Sequence, residues 1–170
     1  GQWKLIDEKK HIWNYELPQG GLAKNGWIYL YNPWSTYETK SYWFYFDEQG
    51  IMQYGWIKDK SGNWYFCHDI SDGNLGYLQK GWHNDKDDKR TYYLDPVTYI
   101  MKSGWQEIDN KWYYFARTED INRQNWFWFI GEMPHWVYDL LGFRTYGSMY
   151  VNEKTPDGSM VDSNGVWINE

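Results

Sequence analysis

The pair Gly-Trp occurs at Gly26-Trp27, Gly55-Trp56, Gly81-Trp82 and Gly104-Trp105, and an apolar residue precedes each copy at the same offset. Those residues are Ala23, Met52, Leu78 and Met101, and two positions before them stand Gly21, Gly50, Gly76 and Tyr99. From Trp to Trp the intervals are 29, 26 and 23 residues, so the period drifts while the local grammar, Gly-x-Met/Leu/Ala-x-x-Gly-Trp, does not. A fixed grammar with elastic spacing marks a repeat array whose loops vary in length. The five methionines agree: Met52, Met101, Met133, Met149 and Met160 all occupy this slot or a relic of it. The slot reads as core rather than ligand wall, because Met fills irregular gaps.

Between each Gly-Trp and the next slot lies an aromatic run: Tyr42-Trp-Phe-Tyr-Phe46, Trp64-Tyr-Phe66, Tyr92-Tyr93-Leu94 and Trp112-Tyr-Tyr-Phe115. Polar turn segments precede the runs, such as Lys60-Ser-Gly62-Asn63 and Asp109-Asn110, and Asp or Gly follows them, as in Asp47-Glu-Gln-Gly50. Strand, tight turn, aromatic strand, turn is the pattern of a β-hairpin and a linker. Strand side chains alternate faces, so Trp112 and Tyr114 point one way and Tyr113 and Phe115 the other. With aromatics on both faces, one face enters a core and the other meets a neighbour or a ligand.

Leu, Ile, Val and Phe make up less than the roughly 20% at which disorder becomes a concern. The 14 Trp and 17 Tyr overturn that reading, since each large aromatic buries on the order of 150–250 Å². The predicted fold is all-β, a solenoid of stacked β-hairpin repeats with irregular terminal repeats. The approximate units are 1–25, 26–54, 55–80, 81–103, 104–135, 136–154 and 155–170, in a single array over 1–170. Trp3 and Trp13-Asn-Tyr15 read as a first hairpin. Asn32-Pro33-Trp34 belong to an enlarged turn, and Arg117–Gln124 to an insertion with a helical turn. Met133-Pro-His-Trp136 is a slot that has lost its Gly, and 135–141 reads as a short helix or a worn strand. Thr155-Pro156-Asp157-Gly158 to Trp167 is a last worn hairpin closing the array.

A net charge of −6 with scattered acids and bases argues against nucleic acid, whose phosphates need clustered Lys and Arg. It suits a cationic or neutral ligand. Cys67 is the sole cysteine, so no intrachain disulfide forms and a buried thiol is expected. The apolar run Trp126–Ile130 is far short of the roughly 20 residues that span a bilayer, and no signal peptide is visible. Asp85-Lys-Asp87-Asp88 lacks the Gly and closing Glu of an EF-hand and reads as a solvated turn. His11, His68, His83 and His135 lack metal-ligand spacing. Cys67 and His68 point to opposite strand faces, so they make no nucleophile–base pair. Glu107 with Asp109, or Glu119 with Asp120, fall in turns or insertions that look exposed, a poor setting for paired glycosidase acids. No metal, cofactor or catalytic residue is expected.

At Gly-Trp, Trp-Tyr-Tyr-Phe and Gly-x-Met-x-x-Gly-Trp the sequence resembles the cell-wall-binding repeats of Gram-positive surface proteins: the choline-binding repeats of autolysins and adhesins and the related glucan- and toxin-type repeats. The likeness covers most of the chain and is strongest from Gly55 to Phe115. The stretch from Asn152-Glu153 through Asn164-Gly165-Val166-Trp167 also looks like the C-terminal closure of such proteins in clostridia-like bacteria. The resemblance implies stacked hairpins, a secreted or cell-surface location, no catalysis, and choline held between consecutive hairpins. It implies one site from Trp56 and Trp64, closed by Trp82 or Tyr92, and a second from Trp82 and Tyr92, closed by Trp105 or Trp112. A third uses Trp105 and Trp112 with Trp136, and a fourth Trp27 with Tyr42 or Trp43. The sites from Trp56 to Trp105 are the favoured ones.

A quaternary ammonium has no hydrogen to donate, so ring faces are its natural partners, at about 0.5–2 kcal/mol per contact. Two or three rings approach the roughly −4 kcal/mol of a millimolar site, and several such sites along a polymer gain avidity. The implied partner is a cell-wall polymer, choline-substituted teichoic or lipoteichoic acid. The alternatives are a glucan or glycan using the same rings as stacking platforms, and a structural spacer with decayed sites. Oligomeric state is not legible.

Overall fold

The computed structural model describes residues 1–124 and 144–169. The chain forms two compact units, Gly1–Lys80 and Gly81–Glu170, and both are built from antiparallel hairpins. In the first unit β1 (Gln2–Asp7) pairs with β2 (Ile12–Glu16), β3 (Gly26–Tyr31) with β4 (Ser41–Phe46), and β6 (Gly55–Lys58) with β7 (Trp64–Cys67); β5 (Met52–Gln53) adds to β4. In the second unit β8 (Gly81–Asn84) pairs with β9 (Thr91–Leu94), β10 (Gly104–Ile108) with β11 (Lys111–Phe115), and β12 (Met160–Val161) with β13 (Trp167–Ile168). A single helix among the described residues, α1 (Thr118–Gln124), lies in the polar insertion where a helical turn is predicted. The predicted all-β fold of stacked hairpins holds in each unit. Met133, Trp136, the Trp126–Ile130 run and the 135–141 segment lie outside the described residues.

Alternation along each strand assigns its two faces to two different neighbours. In β11, Tyr113 and Phe115 face the preceding hairpin, with ring centroids 4.8 and 6.0 Å from Trp82. Tyr114 faces the other way, 5.2 Å from Trp105 and 5.1 Å from Tyr150. In the first unit Phe44 and Phe46 meet Trp3 of the preceding hairpin at 4.9 and 6.0 Å. From the other face of the same sheet Trp27 meets Tyr65 of the following hairpin at 5.2 Å. Aromatic residues occupy both faces because both faces are interfaces in the stack. Each edge-to-face pair contributes about 0.5–1.5 kcal/mol beyond its burial.

The grammar of the slot has two physical causes. The slot residue pairs with the end of the second strand of its hairpin: Met52 with Phe46, Leu78 with Cys67, Met101 with Leu94 and Met149 with Phe115. Pairing seats the slot against the end of the aromatic strand whatever the length of the loop between them, from Phe46 and Met52 to the far more distant Phe115 and Met149. The next Gly-Trp then starts a new hairpin, its glycine adopting positive φ, as at Gly55 (φ 79°) and Gly104 (φ 75°). The second cause is an interlock, for the side chain of one slot lies against the glycine of the next. A Cβ on Gly76 would fall 2.6 Å from Met52 Sδ, and one on Gly147 2.4 Å from Met101 Sδ. Both glycines also have positive φ. Met52 and Met101 are buried, as expected of core residues.

Turn chemistry is supplied largely by aspartates. Asp47, Asp59 and Asp162 each accept N–H groups two and four residues on, at 2.8–3.0 Å, with a glycine at the third position donating back to the aspartate carbonyl. Asp95 accepts the amides of Val97 and Thr98, both at 2.8 Å, in a turn one residue longer whose left-handed position is filled by Tyr99 (φ 63°). Asp109 and Asn110 both have positive φ and join β10 to β11 in a two-residue turn of type I′. The Asp85–Asp88 turn departs from expectation. Asp85 and Asp88 are buried rather than solvated, because they accept the turn amides and, at Asp88, the Tyr92 hydroxyl.

Asp95 makes stability sensitive to acid. The amides of Thr98 and Val97 hold the Asp95 carboxyl at about 2. A carboxyl depressed in the folded state stabilises above its unfolded value, near 3.9, and that stability is lost as pH falls through the folded value. Thermal stability is therefore expected to fall between about pH 4 and pH 2, and Asp95→Asn should flatten that fall while lowering the melting temperature at pH 7. A melting temperature indifferent to pH in this window contradicts the assignment.

Candidate functional site

In the second unit Trp105, Trp112, Trp167, Asp157 and Ser159 line a cavity of 280 Å³. Trp105 is the second residue of β10, and Trp112 lies across the hairpin on β11, in the pair Glu107↔Trp112. Trp167 comes from the last hairpin, which docks on β11 through the bridge Tyr113↔Val166. Trp112 and Trp167 are each 40% exposed, so the cavity is open to ligand. The Trp105 indole is fixed by donating from Nε1 to Asp157 Oδ2 at 3.0 Å. Asp157 also accepts the Thr155 hydroxyl and the Ser159 amide at Oδ1. The Thr155 hydroxyl, the Ser159 amide and the Trp105 indole hold its carboxyl well below the usual range, so it is an anion at neutral pH. Three indoles and one negative charge therefore line the same cavity.

A second aromatic cavity, 210 Å³, lies in the first unit against Trp3, Trp13, Trp34, Phe44 and Met52, with Asn32 at its polar edge. Trp34 comes from the enlarged turn between β3 and β4 and stands 5.1 Å from Trp13. Hydrogen bonds hold that turn in place. Asn32 Oδ1 accepts the Trp34 amide at 3.0 Å, and Asn32 Nδ2 donates to the Gly73 carbonyl at 2.9 Å. Asn74, itself buried, accepts the Ser35 hydroxyl at 3.1 Å and donates to Thr36 Oγ1 at 2.7 Å.

The remaining candidate rings fall into four settings. Trp27 and Trp82 are each flanked by two tyrosines, Trp27 by Tyr45 and Tyr65 at 5.0 and 5.2 Å, Trp82 by Tyr93 and Tyr113 at 5.0 and 4.8 Å. Trp56 and Trp64 meet edge to face at 6.4 Å, and Lys58 Nζ lies 5.6 Å from the centre of the Trp64 ring, so a protein cation already faces that indole. Trp43 stands beside Tyr29 at 5.5 Å on the exposed part of its sheet rather than with Trp27, and Tyr42 points to the opposite face. Tyr92 is 1% exposed, with its hydroxyl bonded to Asp88 and Thr145. It is a core residue with no ring face open to a ligand, a correction to its expected place as a pocket wall.

Of the expected site residues, Trp105 and Trp112 therefore share a cavity. Trp136, the expected closing ring, lies outside the described residues, and Trp167 lines the cavity. Sequence reasoning missed Trp167, Asp157 and the Trp3–Trp13–Trp34 group. Trp167 stood in the closing hairpin, and Trp13-Asn-Tyr15 had the same aromatic pattern as the later runs.

Cys67 is buried, and burial pushes its thiol well above the ordinary value. His68 bonds to Asp72 at 3.0 Å and stacks on Tyr77. Neither is placed for nucleophilic chemistry. Asp120 is also buried, accepting the Tyr114 hydroxyl at 2.7 Å and the Arg117 amide at 2.8 Å, while Glu119 pairs with Arg117. That carboxylate pair is spent on anchoring the helix.

The family model described as a putative cell wall binding repeat matches residues 37–52, 55–68 and 103–118. No curated protein sequence matches the chain. Among solved structures, CbpF in complex with ipratropium is 26% identical with a TM-score of 0.64, over 98% of this chain and 38% of that one. Choline binding protein F from Streptococcus pneumoniae, in a second crystal form, is 27% identical with a TM-score of 0.51, over 98% and 57%. CbpJ from Streptococcus pneumoniae TIGR4 is 26% identical with a TM-score of 0.52, over 98% and 47%. The chain thus spans between 38% and 57% of the length of these proteins.

Proposed function

We propose that this chain, which carries cell-wall-binding repeats of the choline-binding type, is a non-catalytic module that grips choline on a teichoic or lipoteichoic acid at the cell surface. The observation that carries the reading is the cavity of Trp105, Trp112 and Trp167 beside the Asp157 carboxylate. A quaternary ammonium enters with its methyls against the indole faces, each worth about 0.5–2 kcal/mol. Three faces bring one site to about the millimolar range. The first-unit cavity supplies a second aromatic site on the same chain. Two weak sites on one module gain from a polymer that bears the ligand repeatedly, because binding the first raises the effective concentration at the second. The similarity to choline binding protein F supports the ligand class.

Choline should raise the melting temperature of the whole chain in a concentration-dependent way. A site of about 1 mM affinity at 100 mM ligand contributes about 2.7 kcal/mol. No shift at tens of millimolar choline overturns the proposal. One observation favours a second reading: Tyr29, Tyr31 and Trp43 are exposed on one face of the longest hairpin and suit the faces of sugar rings. A shift with glucan oligosaccharides alone moves the conclusion to that reading.

A further inference from the structure

We infer that a hollow adjoining the first-unit cavity takes a neutral pyranose sugar, so that the pair together hold choline and the sugar that bears it. The inference rests on the reading of the first-unit cavity as a choline site and names the next group of the ligand.

The hollow measures 400 Å³, and Gln2, Tyr15, Tyr31 and Pro33 line it together with Trp3 and Trp34, which also wall the 210 Å³ cavity. No side chain of its lining is charged, so it offers no counter-ion to a ligand of either sign. It does offer hydrogen bonds. Gln2 is exposed, and Tyr31, the last residue of β3, is 58% exposed. An amide and a phenol both donate and accept. A quaternary ammonium has no use for such groups, and covering them without a partner costs free energy. A pyranose answers both kinds of wall, with an apolar C–H face for a ring and a rim of hydroxyls for the amide and the phenol. Concave aromatic walls with a few polar groups suit such a ligand, and Tyr and Trp join an apolar face to a polar end.

The walls are in place before a ligand arrives. Trp3 donates from Nε1 to the Tyr31 carbonyl at 2.9 Å, which ties β1 to the end of β3. Trp34 sits on the turn that Asn32 and Asn74 hold, and Gly73 packs so closely against it that a Cβ there would fall 2.5 Å from the Trp34 carbonyl oxygen. Trp34 nevertheless remains 52% exposed. Fixed walls leave little to order on binding. Because the two hollows share Trp3 and Trp34, one ligand can fill both when its two groups are joined by a short link. Choline esterified to a polymer through phosphate presents such a pair, with the sugar as the next group along.

The test compares choline methyl phosphate with methyl glucopyranoside and methyl galactopyranoside, each esterified through its primary hydroxyl to phosphocholine, on the whole chain. All three probes carry one choline and one diester, so avidity plays no part. Binding is followed by NMR at the indole N–H of Trp13, which lines the first-unit cavity and not the adjoining hollow, assigned by its disappearance in Trp13→Phe. At least one glycoside should bind roughly 3- to 10-fold more tightly than choline methyl phosphate, the range of one net hydrogen bond. Tyr31→Ala, and to a lesser degree Gln2→Ala, should remove that gain and leave choline methyl phosphate within about twofold of its wild-type affinity. Tyr31 is exposed, and alanine keeps the carbonyl that receives Trp3, so the fold should tolerate the change. If neither glycoside exceeds choline methyl phosphate, the inference is overturned while the choline reading stands. A gain that survives both substitutions puts the sugar elsewhere and overturns it as well. If no probe moves the Trp13 signal, the choline reading of this cavity falls with it.

Discussion

Gly76→Ala should destabilise the first unit by about 2–5 kcal/mol, well beyond what a solvent-facing glycine in the same conformation would lose. Two costs add. Gly76 has φ 88°, and a side chain in the left-handed region costs about 1–2 kcal/mol. The new Cβ would also fall 2.6 Å from Met52 Sδ, and Met52 is buried, so its side chain must shift within packed surroundings. Overpacking of that kind costs about 1–3 kcal/mol. Gly62 isolates the first cost, for it also has φ 88° but meets nothing within 4 Å of an added Cβ. Gly62→Ala should therefore lose only the conformational part. Denaturant melts of the two variants, repeated in a Met52→Ala background, measure the interlock directly. Gly76→Ala should cost less beside Met52→Ala than alone. Equal costs for Gly62→Ala and Gly76→Ala, or strict additivity with Met52→Ala, would sink the idea that each slot seats the next.

That interlock explains why the repeat was readable despite a drifting period. The slot and the Gly-Trp step hold their spacing because both ends are constrained, one by pairing with the aromatic strand and the other by a glycine that starts the next hairpin. Loop lengths are free of that constraint, and the enlarged turn between β3 and β4 shows how they vary without breaking the array. Tyr99 keeps positive φ where the other slots have glycine, so the backbone demand outlived the residue that usually meets it. Asp109-Asn110 was legible as a turn because few residue pairs tolerate two left-handed positions in succession.

The site was harder to read because ring identity does not reveal ring exposure. Tyr92 stands in an aromatic run like the others, yet its hydroxyl is claimed by Asp88 and Thr145 and its ring is core. Trp27 and Trp82 carry the same Gly-Trp signature as Trp105, but tyrosines of their own and the following hairpin flank them. Trp105 keeps the tyrosine of its own hairpin, Tyr114, but is also met from near the chain end, 52 positions away at Asp157. No local pattern encodes a contact of that span. Trp34 was set aside with the enlarged turn, although the buried Asn74 network makes that turn a fixed wall of the first-unit cavity.

Trp167→Ala should weaken choline at the Trp105 indole N–H, followed by NMR, by roughly 2- to 30-fold, the equivalent of one lost ring face at about 0.5–2 kcal/mol. The fold should tolerate the change, because Trp167 is 40% exposed and its strand is held by backbone pairing with β12 and by the bridge at Tyr113. Trp105→Ala is a poorer probe, since it also removes the bond to Asp157 and the contact with Tyr114. Trp167→Phe should restore part of the affinity, as the smaller ring keeps a face but a weaker one. Binding in the first-unit cavity gives the internal reference, read at the indole N–H of Trp13 or Trp34, and should be unchanged by either substitution. If Trp167→Ala leaves the affinity at Trp105 as it was, then Trp167 only covers the rim, and the cation rests on Trp105 and Trp112 alone. If affinity falls and returns with Trp167→Phe, the closing hairpin is part of the binding site: its last strand completes a cage that the preceding hairpin begins.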